Sequence, residues 1–352
     1  MLSIFNRRSA VDRDKNHSTW LYIFLVMLRI VFSLDFGVFQ HKSTRIRFLF
    51  NLISLAQCTF ISYFSISFIY QSGFFDNYVA FILLTFVIEY IFCVTALTLS
   101  SMRFSVWQLY KDMMLIDSEI SLSEGNSSVE SKMKFYILVF ILTRLLFASA
   151  FSFYALDVVL TSLYICYLFI PLFCLEFCLI VYMMIFYFVL DRLKKLTLYL
   201  KSKDTQIIFC NQMYKCLVDV MEQTKENYDA IYGMDLLCKI PNILMLQEAD
   251  FFYTILYLVI TIEVIILIMP SIVASMVLEE VENIKLVLHE KLFQERGQSH
   301  ERDILMLISY CEERGFTFDV GNIFDLDISL ALELLAAFVT YFIVIIQFTD
   351  FA

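Results

Sequence analysis

Apolar residues run through this chain in blocks long enough to cross a bilayer, about 20 residues each. They occupy Phe48–Tyr70, Tyr78–Ser100, Phe135–Leu156, Thr161–Leu190 and Ile328–Phe348. The stretch Ile231–Leu278 is too long for one crossing and predicts two helices, with a hairpin between Gln247 and Thr261. Seven spanning helices follow. An eighth apolar run, Trp20–Phe39, carries Arg29 and Asp35 inside it. Between the blocks the pattern turns amphipathic. Arg192–Lys201 continues the fourth helix in charged form, while Gln212–Ile231 and Val281–Phe293 keep apolar residues three and four apart. These inner helices predict a cytoplasmic anchor region.

Composition agrees with the blocks. Hydrophobic residues make up 60% of 352 positions against 18% charged, with only 7 Gly and 3 Pro. A soluble domain would leave too much of that surface in water, and alternation suited to a barrel is absent, so the expected class is an all-α membrane protein.

Charge orients it. With Trp20–Phe39 lying in the interface rather than crossing, Lys and Arg number 8 in residues 1–47, 4 in 101–134, 7 in 191–230 and 5 in 285–326. Only Arg144 and Lys239 remain of the 26, and the predicted outer loops hold none. Positive charge concentrates on the cytoplasmic side, which places the N-terminus inside and the C-terminus outside. Arg29 is expected to snorkel to the headgroups. The expected organisation is therefore 1–47 with the interfacial helix, 48–190 with four spans, a helical loop 191–230, two spans in 231–284, an anchor segment 285–326, and a last helix with outer terminus in 327–352.

Little in the sequence suggests catalysis. There is no HExxH, no paired CxxC, no glycine-rich phosphate loop and no basic tail suited to nucleic acid, so neither enzyme nor cofactor is expected. The nine cysteines lie in apolar runs or inner segments and predict no structural disulfide. Cys174 and Cys178 share a helix face and read as small apolar filler. Asp191-Arg192 resembles a receptor DRY motif but ends the wrong span, and reads as a charged helix end at the membrane surface.

The last helix is polar on one face. At 100° per residue, Ser329, Glu333, Ala336, Thr340, Val344 and Gln347 fall within about 40° of a common line. Such a stripe serves either as a helix–helix seam or as a pore lining, and the carboxylate of Glu333 favours the wet alternative. Glu333 lies toward the inner mouth and Gln347 toward the outer one, about 21 Å apart at 1.5 Å per residue. Glu89 and Arg144 both reach the middle of the membrane and are expected to pair, as structural glue or as the polar floor of a ligand cavity. Tyr154, Tyr164, Tyr167, Tyr253, Tyr257 and Glu263 lie in outer halves of spans and are candidate ligand contacts or interface anchors.

Thr340-Tyr341, five hydrophobic residues and Gln347-Phe348 resemble the TYhhhhhQF signature that ends insect gustatory receptors. Gly321–Asp327 is similar to the short segment that leads into that family's final helix, and the layout and inverted topology agree as well. The resemblance implies a ligand-gated, cation-permeable channel in sensory-neuron plasma membrane, built as a homotetramer or with related subunits. Its seventh helix would line the pore, here through Glu333, Thr340, Val344, Gln347 and Phe348. A small-molecule tastant would be the partner, and Phe342, where sugar-type members tend to carry an acid, favours bitter-type ligands. A metabotropic receptor or a transporter is the alternative.

Overall fold

The computed structural model describes residues 19–38, 44–71, 78–101, 105–111, 113, 135, 137–142, 162–202, 206–245, 253–294, 301–320 and 324–349. Eight long helices are α1 (Thr19–Phe32), α2 (Thr44–Gln71), α3 (Tyr78–Ser100), α4 (Ser162–Leu200), α5 (Ile207–Met245), α6 (Tyr253–Gln294), α7 (Glu301–Glu313) and α8 (Ile328–Thr349). Among the described residues, four stretches are long and apolar enough to cross a membrane: Arg45–Tyr70, Leu83–Ser100, Phe173–Leu200 and Val264–Gln294. Trp20–Phe32 and Ile328–Thr340 are shorter apolar helices. The helices α4, α5 and α6 run 39, 39 and 42 residues without a break. At 1.5 Å per residue each is about 58–63 Å long, roughly twice the ~30 Å hydrocarbon core. The hairpin expected at 247–261 falls where α5 ends at Met245 and α6 begins at Tyr253, and 246–252 lie outside the described residues.

The chain divides into two compact units, residues 1–125 with 159–177, and residues 126–158 with 178–352. In the first, α1 buries Leu21, Phe24, Leu25 and Leu28 at helical spacing while Ile23, Ile30 and Val31 stay exposed. It ends at Ser33, which takes the left-handed conformation with φ 62°. The turn is tied down, with Ser33 N–H donating to the Arg29 carbonyl at 3.1 Å. Asp35 pairs with Arg29 and accepts the Gly37 N–H at 3.0 Å. Ser105 then donates to the Gly37 carbonyl at 2.7 Å and accepts the Gln108 N–H at 3.2 Å, capping the short helix 106–111.

This turn corrects the expected snorkelling of Arg29. The guanidinium is 6% exposed, held by Asp35 and stacked over the Phe50 ring at 4.8 Å, instead of reaching outward. Asp35, six residues on, neutralises the charge where it sits, which offsets part of the cost of burying it.

The hairpin of α2 and α3 is inside out relative to a soluble one. Asn51, Ser54, Ser62 and Ser65 are buried, whereas Phe48, Leu49, Leu52, Ile53 and Phe60 are half exposed or more. Small and weakly polar side chains let the backbones approach, and Asn51 donates across to the Thr98 carbonyl at 3.4 Å. Large apolar side chains face outward, as lipid requires.

In the second unit, residues 178–200 of α4 are mostly buried, among them Leu179, Tyr182, Ile185, Phe186, Val189 and Leu193. In the same unit α5 and α6 pack on α7, and the charged ends of α4 and α6 are bonded to each other. Thr197 donates to Glu280, and the Lys291 ammonium donates to the carbonyls of Leu200 and Ser202 at 2.9 and 3.0 Å. Arg314 pairs with Asp219 and Glu222 of α5. Burial pushes the thiols of Cys210 and Cys311 up to about 12, so both are neutral apolar filler at physiological pH. Deeper in, the Tyr232 hydroxyl donates to the Leu267 carbonyl at 2.7 Å, joining α5 to α6.

Two features differ from expectation. A minimal antiparallel pair, β1 (Asp319–Val320) and β2 (Phe324–Asp325), interrupts the all-α pattern, with Val320 opposite Phe324. Phe318, just before β1, packs against Phe186 and Phe316. The second concerns Asp191-Arg192: α4 runs past it to Leu200, as the charged continuation Arg192–Lys201 predicts, so the pair lies within the helix and not at its end. Asp191 bonds Lys195 at 2.8 Å one turn on, and buried Arg192 donates to the Phe188 carbonyl at 3.1 Å. The i,i+4 pairing neutralises charge along the helix and lets it continue.

Candidate functional site

The polar stripe of the last helix is positioned by Asp327. Its carboxylate accepts the Leu330 N–H at 3.0 Å and the Ser329 hydroxyl at 2.8 Å, and its carbonyl accepts the first helical bond, from Ala331. That is an N-cap, and the hydrogen bonds hold the Asp327 carboxyl below its ordinary range. Upstream, the Leu326 N–H donates to the Phe318 carbonyl at 2.7 Å, so the strand pair sets where α8 starts.

From that start α8 divides into three sectors. Leu330 and Ala331 are buried and Leu334 and Phe338 half-buried, forming the face packed on α6. Leu332, Leu335, Val339 and Ile343 form an exposed aliphatic face, each between 45% and 59% exposed. Ser329, Glu333, Ala336, Thr340 and Gln347 are exposed too, on the side opposite the packed face. Of the sequence-derived stripe, Val344 and Phe348 lie on the helix with side chains outside the described residues. Leu334 and Phe338 lie off the stripe, on the side that packs on α6.

The candidate ligand contacts are less developed. Tyr164 and Tyr167 lie in the first turns of α4, and Tyr253, Tyr257 and Glu263 in the first three turns of α6, with side chains outside the described residues. Tyr154 lies outside the described residues altogether, as does Arg144. Glu89 is 1% exposed on α3.

Sequence reasoning passed over Glu176, 2% exposed on α4, and the buried pair Arg29–Asp35. A single acid in a run as apolar as Phe173–Cys178 was the available signal for Glu176.

An apolar helical chain with an exposed polar stripe on its last helix fits several receptor and channel classes. Comparison with protein families narrows them: the chain matches the 7tm Chemosensory receptor description over residues 18–350, nearly its full length. The chain belongs to the 7tm chemosensory receptor family. The match agrees with the resemblance to insect gustatory receptors carried by Thr340-Tyr341 and Gln347-Phe348, and a chemoreceptor role in a membrane follows from it. No curated protein matches this family member. Within it, the arrangement on α8 can present carboxylate, hydroxyl and amide groups to water along about 21 Å, from Glu333 to Gln347.

Proposed function

We propose that the chain is a ligand-gated, cation-permeable taste channel, assembled from four identical or related subunits around a pore lined by α8. One observation carries this reading: α8 has two exposed faces, not one. A peripheral span needs a packed face and a lipid face. The third sector, bearing Glu333, Thr340 and Gln347, is polar and exposed. Symmetric assembly would turn it toward a central axis.

With the N-terminus inside, Glu333 sits at the inner mouth, where four carboxylates favour cations, and the apolar stretch around Val344 supplies a dewetting gate. The charged extensions of α4, α5 and α6 would then lie in the cytoplasm. Tyrosines at the outer ends of α4 and α6 would frame a tastant cavity, and Phe342 favours a bitter-type ligand over sugar.

The test is recording from excised patches of cells expressing the receptor, with ligand and without nucleotide or G protein. Ligand-evoked current is expected, and Glu333→Lys is expected to lower conductance and shift the reversal potential away from cation selectivity. Absence of current in patches that respond when the cell is intact would favour a metabotropic receptor instead. Unaltered permeation in the Glu333→Gln and Glu333→Lys channels would remove α8 from the pore.

A further inference from the structure

We propose, on the reading of α8 as the pore lining, that Tyr232 of α5 and Ser271 of α6 compete for one acceptor, the Leu267 carbonyl. Their exchange latches or releases a proline hinge in α6, the helix on which α8 packs.

Pro270 lies inside α6. A proline there has no N–H to give the carbonyl four residues back, that of Ile266, and its ring crowds that carbonyl. The helix is weakest at this turn. Within a membrane such a turn persists when neighbouring groups bond the backbone again. Tyr232 does this from α5: its hydroxyl donates to the Leu267 carbonyl at 2.7 Å, and both residues are fully buried. One turn on, the Ser275 hydroxyl donates back to the Ser271 carbonyl at 3.0 Å, a bond of the kind that bends helices.

Ser271 gives the turn two states. It is fully buried, and its hydroxyl has no hydrogen-bond partner among the described residues. A hydroxyl left so is costly, and its local acceptor is the carbonyl four residues back, which is that of Leu267. Ser275 shows that α6 accommodates this back-bond here. The Leu267 carbonyl has two lone pairs. In a continuous helix one takes the Ser271 N–H, and Tyr232 holds the other. The Ser271 hydroxyl therefore bonds only when Tyr232 lets go. Latched, α5 is tied to the hinge; released, α6 satisfies its own hydroxyl and its two halves are free to change angle. Each arrangement makes one side-chain bond to the same carbonyl, so a modest binding preference shifts the balance.

Both ends of the latch lead to α8. It packs directly on α6. Next to Tyr232, Gly233 carries no side chain, and a Cβ there would meet Val320 of β1 at 3.7 Å. Thus α5 lies against the strand pair that sets where α8 starts.

The test measures hydrogen exchange on the full chain purified in detergent, which needs no channel activity, together with spontaneous openings in excised patches. Tyr232→Phe removes the latch, and Ser271→Ala removes its competitor. Exchange of amides 271–274 and of the first turn of α8 should rise in Tyr232→Phe and fall in Ser271→Ala. About two- to tenfold is expected in each, the size of one hydrogen bond. Spontaneous open probability should also move in opposite directions in the two variants. Pro270→Ala, which returns the missing N–H, should slow exchange and remove both effects. Shifts of the same sign, or unchanged exchange in both variants, would overturn the proposal. So would an unchanged open probability in patches that do carry current. Patches silent in every variant, with exchange shifting as expected, would uphold the latch and count against the channel reading alone.

Discussion

Removing the cap of the last helix, Asp327→Ala, is the perturbation whose cost can be worked out most directly. The carboxylate accepts two hydrogen bonds, from Leu330 N–H and the Ser329 hydroxyl, and sits at the positive end of the helix dipole. N-cap replacement by Ala costs about 1 kcal/mol, with a range of roughly 0.5–2. The charge–dipole share is about 0.3–1 kcal/mol of that. Asp327→Asn keeps an accepting oxygen and should lose only the charge share. Since folding lowers this carboxyl's pKa, the carboxylate's contribution is complete above the ordinary value of 3.8 and is lost as pH falls through and below it. The gap between the native chain and Asp327→Ala should therefore be constant from pH 8 to about 5 and narrow below about 4, while Asp327→Asn stays nearly flat. Unfolding in mixed micelles, followed by tryptophan-independent helicity, measures both. An Asn variant as damaged as the Ala variant at pH 7 would refute the cap reading, as would an Ala variant equal to the native chain.

Other predictions concern packing and charge. Tyr232→Phe removes the bond to the Leu267 carbonyl and should cost about 0.5–1.5 kcal/mol in the same assay. Gly233→Ala places a Cβ 3.7 Å from Val320, an ordinary contact, so it should be accepted and stabilise α5 by about 0.5–1 kcal/mol. Burial raises the Asp229 carboxyl to about 6, with Lys225 opposing. A raised acid destabilises the fold as pH climbs from about 4 through 6, so Asp229→Asn should gain over the native chain at pH 8 and lose that gain at pH 5. Arg314→Ala breaks pairs with Asp219 and Glu222 that are largely open to solvent, so it should shift stability little in the same assay, and less still at high salt.

The physical division between sequence and tertiary structure is clear in particular residues. Long apolar runs identified the bilayer class unaided, because no other solvent tolerates them at that length, and the placement of Lys and Arg oriented the expected topology. The spacing Ser329–Glu333–Ala336–Thr340–Gln347 revealed a polar face because helical period is a local property. What no local pattern holds is the partner of a buried charge. Arg29 could reach headgroups or fold back, and the left-handed turn at Ser33 with Asp35 chose the latter. Tyr232 and Leu267 are 35 positions apart, and only the packing of α5 on α6 brings that hydroxyl to that carbonyl. The strand pair at Val320 and Phe324 was equally invisible, since two residues per strand carry no period. Which face of α8 packs was decided by the neighbouring helix, and so the wheel drawn from sequence became a helix with one covered and two uncovered sides.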